Sequence, residues 1–256
     1  MPGMPVRLER DTILEALYEM RFQSKQSFTG SVFSGLLYSQ KETRTRYSSL
    51  EELPAAKLPS EAAAVDPNLR YVATHRLKGE KYSVQIGAQS VALSCPFPYS
   101  GWRNFRQEIS FVTQAVLKTE LIEHVERFSL RYINLLIHDE AVRGLQKFIV
   151  DIKAGGRDLS ADPLIASTHL RTELHEKGYI DVIQVASPAT VEIRATNETK
   201  RGTLLDIDVI RPLTQGESFV DNHEDLLERC HQEEKAVFFS FLKPKTLEDL
   251  GPIYEE

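Results

Sequence analysis

The chain has 256 residues, 41% of them hydrophobic and 27% charged, a balance that excludes long disorder and suits one large domain or two small ones fused around a shared core. A formal net charge of −6 supplies no long-range attraction to phosphate backbones and counts against unaided nucleic-acid binding. Two cysteines without metal-ligand spacing point to a reducing, cytoplasmic setting, and no apolar run approaches the roughly 18 residues of a membrane span.

In chain order, "ILEALYEMRF" (13–22) alternates: Leu14, Ala16, Tyr18, Met20 and Phe22 share one side, and Glu15, Glu19 and Arg21 the other. A period of two predicts a half-buried strand. "GSVFSGLLYSQ" predicts a short helix starting near Thr29 to Ser31. Residues 41–68 are polar and unpatterned, which reads as a loop. "LRYVATHRL", "KYSVQIG" and "SVALSC" then form a meander with tight turns between the runs. "PYSGWRNFRQEISFVTQAVLKT" follows as a helix with Pro98 and Ser100 at its entrance. Trp102, Phe105, Ile109, Val112 and Val116 form its apolar stripe.

The second half repeats this order. "VERFSLRYINLLI" alternates, with Arg127, Ser129 and Arg131 on its polar side. "DEAVRGLQKFIV" reads as a short helix capped by Asp139. Strands are expected at "IASTHLRTEL", "YIDVIQVAS", "TVEIRAT" and "GTLLDIDVI", with breaks at "HEKG", "SP" and "NETKRG". "DNHEDLLERCHQEEKAVFFSFL" closes the chain as a long helix with Asp221 or Asn222 as N-cap.

The expected fold is therefore α+β. Two pseudo-repeats, 1–120 and 121–256, each give a strand, a helix, three or four strands and a helix. They join through their first strands into one curved antiparallel sheet with helices on one face. This element order resembles that of the TATA-box-binding protein fold. "EALYEMRF", "RYIN" and "LLDIDVI", together with the C-terminal helix, also resemble a sporadically distributed family of prokaryotic proteins of about this length. That resemblance implies a bacterial or archaeal accessory protein, of the kind encoded with a toxin or defence effector. It implies no activity and no catalytic residues.

Chemistry is sparse. Asp206 and Asp208 share a strand face about 7 Å apart, a spacing that a divalent ion could bridge with further oxygen ligands. The Gly-Ser or Gly-Gly turn of a nucleotidyltransferase is missing upstream. A polar sheet face paired with arginines is the simpler reading. If strand 13–22 pairs with 125–136, Glu15, Glu19 and Arg21 meet Arg127 and Arg131, each cross-strand pair contributing only ~0.2–1 kcal/mol. The seven charged residues Glu15, Glu19, Arg21, Arg127, Arg131, Asp206 and Asp208 are the candidate ligand- or partner-binding surface.

The seven histidines do not assemble. His223 and His231 lie two turns apart on the last helix, which suits solvated or core-edge positions. No P-loop, GxGxxG or GxSxG is present, and no catalytic residue, metal or cofactor is expected. In "AVFFSFL", Phe238, Phe239 and Phe241 cannot all face one way, so one is expected at a contact surface. The sequence thus predicts a non-enzymatic binding or regulatory protein that contacts another protein. Nucleic-acid binding through the concave sheet and a metal-dependent phosphoryl-transfer or nuclease enzyme built on Asp206 and Asp208 are the rivals. Exposed edge strands would also let two copies pair.

Overall fold

The structure is a computed structural model that describes residues 3–25, 29–58, 66–137, 144–150, 152–154, 156–158, 166–193, 196–214 and 217–254. A short β1 (Arg7–Leu8) leads into β2 (Ile13–Ser24), then α1 (Gly30–Ser39), α2 (Lys41–Arg46) and β3 (Tyr47–Glu52). The meander β4 (His75–Gly79), β5 (Ser83–Ile86) and β6 (Ser90–Pro96) follows, closed by α3 (Trp102–Leu117). The second half holds β7 (Ile122–Ile137), the two-residue strands β8 (Lys153–Ala154) and β9 (Arg157–Asp158), then β10 (Thr168–Glu176), β11 (Tyr179–Ile193) and β12 (Glu198–Pro212). It ends with α4 (Phe219–Phe241), α5 (Pro244–Leu250) and β13 (Pro252–Ile253).

Nine strands form one antiparallel sheet in the order β10-β11-β12-β7-β2-β6-β5-β4-β3. The first strands of the two halves, β2 and β7, pair at its centre, with Leu17 opposite Arg131 and Glu19 opposite Ser129. The last strand that each half gives to this sheet flanks that pair: β6 lies beside β2, and β12 beside β7. The sheet stays open, and its helices pack on one side.

The alternation of β2 explains that asymmetry. Ala16, Tyr18, Met20 and Phe22 are fully buried under the helices with Phe128, Leu130 and Tyr132 of β7 and Leu205, Ile207 and Val209 of β12. Slipping a strand by one residue would turn this whole set to the other face, so burial of one side pins the register. Helix α1, capped by Thr29 accepting from the Val32 amide at 3.4 Å, packs Phe33 edge-on against Phe22 with centroids 5.5 Å apart.

Several expectations are corrected. Residues 41–68 are not an unpatterned loop: they contain α2 and the edge strand β3, which pairs with β4. A register shift between Tyr47 and Ser49 breaks the period of two, and an edge strand needs few apolar anchors, so the pattern hid it. "YIDVIQVAS" and "TVEIRAT" form one strand, β11. Its Ser187-Pro188 step sits in a bulge between Ala186 and Ala189, where a missing proline N–H does not cost a ladder bond. Helix α4 starts earlier than expected, with Ser218 as N-cap, because Phe219 packs against Phe128 at 5.6 Å. The helix expected after Asp139 falls partly outside the described residues; Gly144–Lys147 is a 3-10 turn. The second and third runs of the meander and the α3 stripe stand as expected. In "LRYVATHRL", however, the chain makes a 3-10 turn over Pro67–Tyr71 and the strand starts only at His75. The expected break "NETKRG" lies largely inside β12.

Gly202 marks the tightest approach in the sheet. A Cβ there would collide with the Leu136 backbone carbonyl of β7. Gly202→Ala is expected to cost ~2–3 kcal/mol in a urea titration. In contrast Gly35→Ala on exposed α1, where nothing lies within 4 Å, should stabilise by about 0.5–1 kcal/mol.

Candidate functional site

The structure brings most of the sequence-selected charged residues together on the sheet face that carries no helices. Arg21 donates to Glu19 at 2.5 Å, and Arg127 donates to the same carboxylate at 2.9 Å. Arg131 grips Asp206 with both Nε and Nη2, at 2.8 and 2.6 Å, the fork geometry that makes arginine pairs strong. Gln184 adds a third donor to Asp206 at 3.2 Å. Glu15 accepts from Ser94 at 2.5 Å, and its charge still reaches Arg131.

Asp208 is the exception. Burial raises its pKa, partly offset by a hydrogen bond from Ser129, and its Oδ1 is buried without a hydrogen-bond partner. With Asp206 held by arginine, the two aspartates are not a free pair facing one ion. Among the described residues no group of three or more His, Cys, Asp or Glu side chains could hold a metal.

On the opposite side of the sheet, under the helices, lies a cavity of about 310 Å³. It is built from four chain segments. The N-terminal strap contributes Arg7, Asp11 and Thr12, the entrance of α3 contributes Tyr99 and Trp102, and β7 contributes Tyr132 and Asn134. Helix α4 contributes His231, Glu234, Lys235, Phe238 and Phe239. The strap is held in place because β1 pairs with β13, the Val6 amide donating to the Ile253 carbonyl at 2.7 Å.

The polar groups here fall into two kinds. Some are satisfied: the Thr12 hydroxyl donates to Asn134 at 2.8 Å, and the Tyr99 and Tyr132 hydroxyls share a hydrogen bond at 3.2 Å. Asp11 accepts from the Ile13 amide at 2.9 Å, although burial still raises its pKa.

The other kind comes from α4. Glu234 is 4% exposed, and its carboxyl makes no hydrogen bond or ion pair among the described residues. Burial pushes its pKa up to about 8, against the opposing pull of Lys235. His231 stacks on Trp102 with ring centroids 3.9 Å apart. Burial lowers its pKa to about 3, so the ring is neutral, and its Nδ1 is buried without a partner.

Glu108 of α3 shows what a structural carboxylate looks like in the same fold. It too is buried, but the Tyr47 hydroxyl donates to it at 2.8 Å and Arg46 at 2.5 Å. Glu234 has no such company. A mostly apolar cavity with a few convergent polar groups and perturbed acids and bases is the usual form of a ligand site.

Sequence reasoning passed over this cavity. His231 was expected at a solvated or core-edge position and Trp102 in a core stripe; both line the cavity wall. One signal was available: Leu227, Cys230, His231, Glu234 and Phe238 form the buried stripe of α4, so a carboxylate occupies a core position of its period. The phenylalanine expectation divides in the same way. Phe238 is buried and Phe239 and Phe241 are partly buried, with Phe238 and Phe239 both lining the cavity.

The two cysteines pack in the core. Cys95 and Cys230 are both buried, and burial pushes the Cys230 thiol well above its ordinary value. No helix is long and apolar enough to cross a membrane among the described residues. No family model and no curated protein matches the chain.

Proposed function

We propose that this chain is a non-catalytic ligand-binding protein of the accessory or regulatory kind. Its cavity between α4, the α3 entrance and the central strands holds one small organic molecule. The observation that carries this reading is Glu234, a carboxyl on the buried stripe of α4 with no hydrogen-bond or ion-pair partner among the described residues, lining an aromatic-walled cavity. A carboxyl in this setting is costly to ionise, and a donor seated in the cavity would offset that cost. Stability given up at one place without local compensation is characteristic of functional sites.

Trp102 is the only tryptophan of the chain and lines the cavity, so its emission reports occupancy directly. A fragment set of small aromatic and alicyclic compounds should yield members that shift Trp102 emission and raise Tm together. If no fragment at millimolar concentration changes either signal, the reading is lost.

A second reading places a protein partner on the sheet face opposite the α-helices, beside the Arg21 end that Tyr71 covers. It is favoured by the half-buried Asp208 carboxyl next to the Arg127 and Arg131 lattice, because a partner's donor could join that cluster at its surface. An Asp208→Asn variant should then bind the partner measurably more weakly while remaining at least as stable as the parent. Equal affinity would remove this reading.

A further inference from the structure

The chemistry of the cavity names the class of its ligand, an inference that rests on the ligand-binding reading above. We infer that the cavity takes an organic ammonium ion, with the Glu234 carboxylate as its counter-charge and the rings of Tyr99, Trp102, Tyr132, Phe238 and Phe239 around it. Five aromatic side chains and one unpaired carboxylate are the elements of ammonium recognition. Ring faces attract a cation through their quadrupoles, more strongly when it is desolvated, and the carboxylate supplies a charge-assisted hydrogen bond.

The other ligand classes fit less well. A metal ion wants several oxygen ligands, whereas Glu234 and Asp11 are the carboxylates of this lining, and Asp11 is engaged by the Ile13 amide. An anion would find Arg7 and Lys235 in the lining, but it would also meet both carboxyls. It could leave Glu234 no better satisfied than before. A neutral ring would fill the space and leave the Glu234 oxygens without a donor. An ammonium group brings the donors and the charge together.

The charged and titratable groups around Glu234 come from every wall: Arg7 and Asp11 on the strap, the Tyr99 and Tyr132 hydroxyls, and His231 and Lys235 on its own helix. The buried Cys230 thiol also feels its charge. In the empty protein at pH 7 the Glu234 carboxyl is largely protonated. An ammonium ligand seated against it makes the ionised form the stable one, and the proton leaves to solvent. Binding is therefore coupled to release of about one proton near pH 7, and affinity should rise about tenfold per pH unit from pH 6 towards 8. Tyr99 and Tyr132, raised by burial, stay protonated throughout that range.

Three probes of similar size separate the outcomes: 2-phenylethylamine, 2-phenylethanol and 3-phenylpropionate, titrated into the full chain with Trp102 emission and calorimetry as readouts. The expected result is that the amine binds at least tenfold more tightly than the alcohol. Its binding enthalpy should depend on the ionisation enthalpy of the buffer, as proton release requires. Glu234→Gln, which keeps the shape of the side chain, should abolish the preference and the proton release while circular dichroism shows an intact fold. Equal binding of amine and alcohol, or a preference that survives in Glu234→Gln, overturns the ammonium assignment and leaves the ligand pocket standing. Binding of the propionate alone overturns it too. If none of the three probes, nor any fragment of the wider set, changes Trp102 emission, both the assignment and the pocket reading fall.

Discussion

Glu234→Gln should make the protein more stable at neutral and mildly alkaline pH. In the folded chain burial raises the Glu234 pKa from 4.5 to about 8, so between those values the folded state holds a proton that the unfolded state has released. Stability then falls as pH rises, by about 1.4 kcal/mol per unit for this group alone. Its stabilising contribution is complete below pH 4.5 and gone above about pH 8. Near pH 7 the buried acid thus costs about 3 kcal/mol relative to its unfolded reference.

Glutamine carries no charge, and part of that cost should be recovered. We expect a gain of ~2–3 kcal/mol at pH 7–8, or roughly 5–10 °C in Tm, and little gain at pH 4.5. Urea titrations of both proteins across pH 4.5–8.5 would check this. Parallel stability curves for the two proteins would show that Glu234 ionises freely in the fold. His231 acts with the opposite sign. Its depressed pKa contributes stability that is present above pH 6.5 and lost as pH falls towards 3, so His231→Phe should flatten the acid limb.

Removing Arg131 should be the most damaging single change on the sheet face opposite the α-helices. Asp206 is 7% exposed at its side chain and Arg131 38%, so Arg131→Ala strands a nearly buried carboxylate with Gln184 as its remaining side-chain donor. Breaking a buried pair from one side costs about 3–5 kcal/mol, and the partial exposure of the arginine places the expectation near the lower figure. Replacing both partners, Arg131→Met with Asp206→Leu, should recover most of the loss, because a buried pair often contributes little beyond well-packed apolar residues. The interaction energy of this double-mutant cycle should exceed about 1.5 kcal/mol. A single-variant cost under about 0.5 kcal/mol would place the pair among ordinary surface ion pairs and would reopen Asp206 to an outside ligand.

These two predictions address opposite faces of one sheet, and the faces were unequally legible in the sequence. Alternation in 13–22 and in 125–136 identified both central strands, and the pairing of those strands followed from element order. Once β2, β7 and β12 are neighbours, the odd residues of β2 and β7 and the aspartates of β12 must share a face. The arginine–carboxylate lattice is therefore a consequence of the period of two. Where the period is interrupted, legibility failed. The Tyr47/Ser49 shift hid β3, and the Ser187-Pro188 bulge split β11.

The cavity was hidden for a different reason. Its walls come from residues 6–13, 99–102, 132–134 and 231–239, segments separated by up to more than two hundred positions. No local pattern reports that they meet. Glu108 and Glu234 look alike in sequence, each a glutamate on the buried stripe of a helix. Only the tertiary structure sets Tyr47 and Arg46 against the first and leaves the second alone among aromatic rings. By itself the sequence determined the central strands and their charged face, because period and burial are local consequences of side-chain chemistry. Which buried charge goes unanswered depends on what the rest of the chain brings beside it, and only folding decides that.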